Sequence, residues 1–377
     1  MKKIVKVTLF SLLFAMLFSF STCAIQEKKE LSEDMLGIDY NKYVAGPLSG
    51  DTKFHTEESA EKKADMAVKT LSISGIVGYF FQSMRDIFLP SVKTFAGVFA
   101  IIVLSAVFGA LKESFGGVSE AMEYISTLCL AWYLFALMKP VIENVSTVIQ
   151  RMSLFMVSLI PTMAALTASA GGQAQAGIGS TTTALILNYV QSVATFVIFP
   201  AAKAVFVLAV ITAISEMVNL SGVTSFIKNA CIWGIGLMMT LFTGILFFQS
   251  SVAAHADTLS VRGARFVTTS FIPVIGGMVG ESMRTVVASV MLIKSITGML
   301  GISAIVYFVI PPLCAILIHK MYLLVCAFSA KIIGLQKQSA FLYEINSALN
   351  ILNALVIAVT LTFIVIVAVF INVSYSA

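Results

Sequence analysis

Ionisable residues interrupt the long apolar runs of this 377-residue chain, and they are its first candidates for chemistry. A charge near the centre of a bilayer costs roughly 3 kcal/mol, so such residues are functional candidates by default. Glu281 and Arg284 stand three residues apart, which would place them on one face of a helix. Glu216 and His319 lie deep in other runs, where we expect each side chain to contact a partner or water. The remaining members are lysines, some of which could extend toward the lipid headgroups: Lys203, Lys294 and Lys320.

The sequence contains no pattern typical of catalysis or metal binding. Its three histidines lie far apart, and the HExxH, CxxC and GxSxG patterns do not occur. Ser225 and Lys228 match S-x-x-K, which arises too easily by chance to carry weight alone. The five cysteines fall in apolar segments, where buried thiols are usual. We therefore expect a protein that is not an enzyme and that has no catalytic residue, cofactor or metal site.

The composition indicates a membrane protein. Hydrophobic residues make up 58% of the chain, charged residues only 11%, and the mean hydropathy is +0.96. An ordinary soluble domain carries charge on about a quarter of its residues. The net charge of +5 does not indicate nucleic-acid binding, because the lysines and arginines are scattered singly between apolar runs.

The pattern along the chain predicts four segments. Residues 1–24 have the basic start, apolar core and small-residue end of a signal peptide, although an uncleaved anchor would give the same topology. Residues 25–56 form a polar arm that we expect outside the cytoplasm. Residues 57–90 predict amphipathic or interfacial helices, because Ala60, Ala64, Ala67, Val68 and Leu71 recur at helical spacing. Residues 91–377 predict a polytopic transmembrane domain.

Similar segments recur at intervals of about 110 residues. Pro90, Pro200 and Pro312 each precede a long apolar run that is followed by a glycine-containing polar turn. The segment that ends at Pro161 is repeated, 112 residues later, in the segment that ends at Pro273. These similarities predict an all-α membrane protein with internal repeats, whose units begin near residues 90, 200 and 312.

Glycines follow both Ile-Pro segments, and they predict two bends in the helical region. The first group lies shortly after Pro161, and the second follows Pro273. Irregular backbone at membrane depth is tolerated only where protein or a water-filled cavity covers it, so re-entrant hairpins are one interpretation. Two crossings per bend are the alternative, and one continuous helix from Ala184 to Val218 would invert the following unit. The glycines are Gly171, Gly172, Gly177 and Gly179 in the first group, and Gly276, Gly277 and Gly280 in the second.

One block of the sequence resembles the stage III sporulation protein AE family. The similarity extends over about residues 57–377, with a signal peptide and a short external arm before the polytopic region. The block comprises Arg265–Val267, Ser270–Gly277, Glu281, Ser282, Thr285, Val286 and Leu292–Lys294.

This resemblance implies a subunit of the stage III sporulation complex in the mother-cell membrane around the forespore. It implies as partners the other subunits of that complex and, through them, a forespore membrane protein, with a role in late forespore gene expression. The glycine-bent repeats could then line a conduit. A self-sufficient secondary transporter for a small solute is the other hypothesis, with Glu281 and Arg284 at a site near the midplane.

Overall fold

The computed structural model describes residues 73–110, 117–214, 220–271 and 276–372. Every long element in these ranges is a helix, which confirms the predicted all-α class. The predicted signal peptide and polar arm lie outside the described residues. The helices, numbered in chain order, are α1 (Ile73–Ala110), α2 (Gly117–Ser169), α3 (Gln173–Ile214), α4 (Ser221–Phe271), α5 (Gly276–Ile332) and α6 (Gln336–Asn372).

All six helices are long and apolar enough to cross a bilayer, which confirms a multi-pass membrane protein. Several are far longer than a crossing needs. The 53 residues of α2 and the 57 residues of α5 would extend over roughly 80–85 Å, against about 30 Å of hydrocarbon. Each of these two helices is one continuous element rather than a series of shorter spans.

Prolines lie within these helices rather than at their starts. Pro90 lies inside α1, so the helix continues through the boundary expected at residue 90. Pro311 and Pro312 likewise lie inside α5. In α3, the π-helical turn Ala194–Ile198 comes just before Pro200. Such a widened turn provides room for the proline ring, which would otherwise clash with the carbonyl four residues earlier.

Two tight turns between helices depend on glycine. Gly171 has φ of +97°, and the amide of Gly172 donates to the carbonyl of Thr167 at 2.9 Å. Gly334, between α5 and α6, has φ of +93°, and the amide of Leu335 donates in the same way to Ala330. Both turns are Schellman motifs, in which a left-handed glycine satisfies the last carbonyls of a helix.

The first predicted bend is present at Gly171 and Gly172. The second adjoins residues 272–275, which lie outside the described residues, so it stays a prediction. Gly177 and Gly179 lie in regular helix within α3. Gly276, Gly277 and Gly280 belong to the first turns of α5. Glycine costs only about 1 kcal/mol in a helix, which the surrounding helices readily offset.

The helix α6 packs against α2, α3, α4 and α5 and forms the centre of the described bundle. The helices α1 and α5 run in the same direction. The ring of Tyr79 contacts that of Tyr307 and, further along both helices, the ring of Phe88 contacts that of Tyr322. The proline-containing helices of the first and third predicted units are thus parallel, although α3 continues through Pro200. The internal repeat and the re-entrant hairpins stay predictions.

Glycines permit the closest contacts between helices. The hydroxyl of Tyr133 on α2 donates to the carbonyl of Thr94 on α1 at 2.8 Å, across Gly97. A methyl group at Gly97 would overlap that hydroxyl. On α5, a methyl group at Gly301 would approach Leu159 of α2 to 2.7 Å. These contacts fix the register of α2 against α1 and α5.

Candidate functional site

A buried carboxylate holds the start of α3. The side chain of Asp257, on α4, accepts hydrogen bonds from the backbone amides of Ala174 and Gln175 at 2.8 and 3.0 Å. Asp257 is only 2% exposed, and more than 80 residues separate it from the amides that it binds. A single side chain therefore joins α4 to the turn between α2 and α3.

The local sequence explains why a distant residue is needed there. The first amides of any helix have no partner within the helix. Gly172, at the N-cap position of α3, makes no side-chain capping hydrogen bond. A carboxylate also interacts favourably with the positive end of the helix dipole, so Asp257 takes the place of a local cap.

Two amide side chains are also buried between α3 and α4. Gln175 is 1% exposed, and its Oε1 accepts no hydrogen bond from the described part of the chain. The Oε1 atom of Gln249, on α4, is buried in the same way. The Nε2 atom of Gln249 lies 3.7 Å from where a methyl group on Gly179 would stand. The interface between α3 and α4 is thus largely apolar but contains buried polar side chains.

A second polar cluster lies between α5 and α6. The ammonium group of Lys320 donates to Oδ1 of Asn350 at 2.7 Å. Asn346 and Asn353 follow the same face of α6, and within the described residues their buried Oδ1 atoms accept no hydrogen bond. His319 is buried beside Lys320, where its Nδ1 donates to the carbonyl of Ala315 at 2.7 Å.

Polar contacts also join the starts of α2 and α6. The ammonium group of Lys337 lies 3.4 Å from the carboxylate of Glu123. The amide Nε2 of Gln338 donates to the hydroxyl of Ser126 at 3.2 Å, in a buried position. These contacts position the central helix α6 at the end that carries the Gly334 turn.

The structure places only some of the predicted site residues. Pro161 is exposed on α2, and His319 is buried on α5. Glu281 and Arg284 lie in the first turns of α5, but the structure does not describe their side chains. Glu216 and Pro273 lie outside the described residues. The expected Glu281–Arg284 pair therefore stays a prediction.

Asp257 is not among the residues predicted from the sequence, although the sequence contains a signal that could have identified it. Asp257 is an acidic residue directly after the apolar part of α4, in a stretch that reads as amphipathic. Only the packing of α4 against the Gly172 turn makes it a buried helix cap.

The six long apolar helices of the described bundle are those of a multi-pass helical membrane protein. The model of the family described as stage III sporulation protein AE matches residues 54–374. The chain belongs to the stage III sporulation protein AE family. Stage III sporulation protein AE of Bacillus subtilis (strain 168) is 27% identical over 210 residues, which cover 54% of this chain and 51% of that protein. The match thus spans about half the length of the curated relative, and no solved structure matches the chain.

Proposed function

We propose that this chain is an integral-membrane subunit of a stage III sporulation complex that links the mother cell to the forespore. In this role it acts with the other subunits and, through them, with a forespore membrane protein to support late forespore gene expression. The observation that carries the proposal is that the family match, residues 54–374, includes every described helix. The embedded domain as a whole, rather than one short motif, is what resembles the family.

The geometry supports a structural role within such a complex. Asp257 joins α4 to the start of α3, and the Lys320–Asn350 contact joins α5 to α6. These polar contacts are buried or part-buried, so each favours one arrangement of its helices. A rigid, precisely packed membrane domain is suited to positioning partner subunits.

We also propose that the interior frames a conduit. Buried side-chain oxygens without a partner within the described residues occur on α3, α4 and α6, at Gln175, Gln249, Asn346 and Asn353. Buried polar atoms usually bind another protein group or ordered water. Water along these amides would give the domain a polar interior between its apolar outer faces.

Two experiments test the proposed function. The gene is deleted in its spore-forming host and replaced by the wild type, by Asp257→Ala or by the surface control Glu143→Gln. We expect deletion and Asp257→Ala to abolish late forespore reporter expression, and Glu143→Gln to preserve it. Normal sporulation after deletion would refute the proposal.

The second experiment isolates the protein from sporulating cells and identifies what co-purifies. Sister subunits of the complex are the expected partners. Solute uptake by the purified protein alone in liposomes, lost on Glu281→Gln, would instead support the transporter hypothesis.

A further inference from the structure

Three asparagine side chains lie on the face of α6 that meets Lys320 of α5. The ammonium group of Lys320 donates to Oδ1 of Asn350 at 2.7 Å. Asn346 stands four residues before Asn350, and Asn353 stands three residues after it, so all three share one face of the helix. We call these three residues the α6 amide face.

The α6 amide face offers more acceptors than the described hydrogen bonds use. The Oδ1 atoms of Asn346 and Asn353 are buried, and no donor in the described part of the chain binds them. An ammonium group has three N–H donors, and the bond to Asn350 uses one of those of Lys320. Surplus donors and surplus acceptors therefore lie about one helical turn apart. Because a buried polar group without a hydrogen bond is costly, this arrangement indicates further bonds between them.

The charge of Lys320 also requires more than one partner atom. Lys320 lies in the membrane-spanning part of α5 and is half-buried. Among the residues that the structure describes, no carboxylate forms an ion pair with it. A charged side chain in a membrane span needs polar partners, and amide oxygens are the partners that α6 provides here.

The neighbouring donors on α5 point away from α6. The ring of His319 packs against Phe95 of α1, with ring centroids 5.4 Å apart. The hydroxyl of Tyr322 donates to the carbonyl of Phe88, which also belongs to α1. Lys320 is therefore the donor that this part of α5 presents to the α6 amide face.

Helical geometry brings all three oxygens within reach of one ammonium group. Along the axis of α6, Asn346 and Asn353 are offset from Asn350 by about 6 and 4.5 Å. The four-carbon stem of a lysine is flexible, and its ammonium group can donate in three directions. Rotation of the Lys320 side chain can therefore move a hydrogen bond from one oxygen to the next without moving either helix.

We propose that the α6 amide face is a binding site for a primary ammonium group, and that the side chain of Lys320 occupies it. The three amide oxygens share the charge of Lys320, which joins α5 to α6 inside the membrane domain. The site prefers N–H donors because each oxygen binds by accepting a hydrogen bond. An oxygen that Lys320 does not engage at a given moment is available to water. This inference does not depend on the proposed sporulation role.

Chemical rescue in the full-length chain tests this proposal. Lys320→Ala removes the ammonium group and leaves the three oxygens beside an open space. Thermal unfolding of this variant in detergent is then measured with and without methylammonium chloride. Tetramethylammonium chloride is the matched salt, because it carries the same charge but has no N–H donor. Lys320→Met is the matched variant, because the methionine side chain fills the space of the lysine stem.

We expect methylammonium to raise the unfolding midpoint of Lys320→Ala by roughly 3–6 °C when its concentration is about ten times its dissociation constant. Tetramethylammonium should have no such effect, and neither salt should stabilise Lys320→Met. The rescue should disappear when Asn346, Asn350 and Asn353 are also replaced by leucine. The absence of rescue, or equal rescue by the two salts, would overturn the proposal.

A second measurement keeps the lysine and creates no cavity. Mass spectrometry compares the rate at which an acetylating reagent modifies Lys320 in the wild type and in Asn346→Leu, Asn350→Leu and Asn353→Leu. We expect each substitution to accelerate acetylation, and the three together to do so about tenfold or more, because a hydrogen bond to a charged group contributes at least that factor. Lys139, which is exposed on α2, is the internal control and should react at one rate in all chains. Acceleration by Asn350→Leu alone would show that Lys320 has a single acceptor and would refute the shared site.

Discussion

Removal of the Asp257 carboxylate should destabilise the turn between α2 and α3. Asp257→Ala leaves the buried amide of Gln175 and the part-buried amide of Ala174 without their acceptor. An unsatisfied buried donor costs about 1–3 kcal/mol, so the two together should lower the free energy of unfolding by roughly 2–6 kcal/mol. Asp257→Asn keeps one acceptor oxygen, so we expect a loss about half as large.

Denaturation in detergent micelles measures this loss of unfolding free energy. The readout is the reactivity of the thiols of Cys314 and Cys326, which are buried in the folded protein. The matched control is Glu143→Gln, which also removes one negative charge. Glu143 is exposed and lies 4.0 Å from Lys139, a surface pair worth at most about 0.5 kcal/mol. If both Asp257 variants unfold like this control, the carboxylate does not hold α3 and the reasoning is refuted.

Glycine substitutions give two further predictions, measured by the same denaturation assay. Gly171→Ala and Gly334→Ala should each cost about 1–2 kcal/mol, because both positions have positive φ. The control is Gly177→Ala, because Gly177 is helical and has open space around it. This substitution should be neutral or stabilising by up to about 1 kcal/mol. Similar losses for all three variants would contradict the assignment of the turns. Gly97→Ala should cost about 1–3 kcal/mol through overlap with Tyr133, and a neutral result would show that α1 and α2 are further apart than described.

The sequence predicts some local features correctly and misplaces others. Gly171 and Gly172 are recognisable as a break because a glycine pair follows a long apolar run, and the turn is where the pattern indicates. Gly177 and Gly179 have the same composition signal but remain helical. A glycine permits an irregular backbone without requiring one, so packing decides between the two outcomes.

The prolines illustrate the same limit. Pro90 and Pro312 suggested the starts of units, yet both lie inside long helices. A proline removes one hydrogen bond, a cost that extensive helix packing or a π-helical turn can offset. Such compensation comes from neighbours that are distant in sequence, so local spacing does not reveal it.

Hydropathy and helical periodicity by themselves determined that the chain is an all-α, multi-pass membrane protein, because burying apolar residues in a bilayer requires helices whose backbone groups are satisfied internally. The block around residues 265–294 was enough to indicate the family. Only the tertiary structure decided that Asp257 caps a helix that begins more than 80 residues earlier in the chain. It also decided that α6 is the central helix of the described bundle. These features depend on which helix faces come together, and a periodic pattern identifies an apolar face without naming its partner.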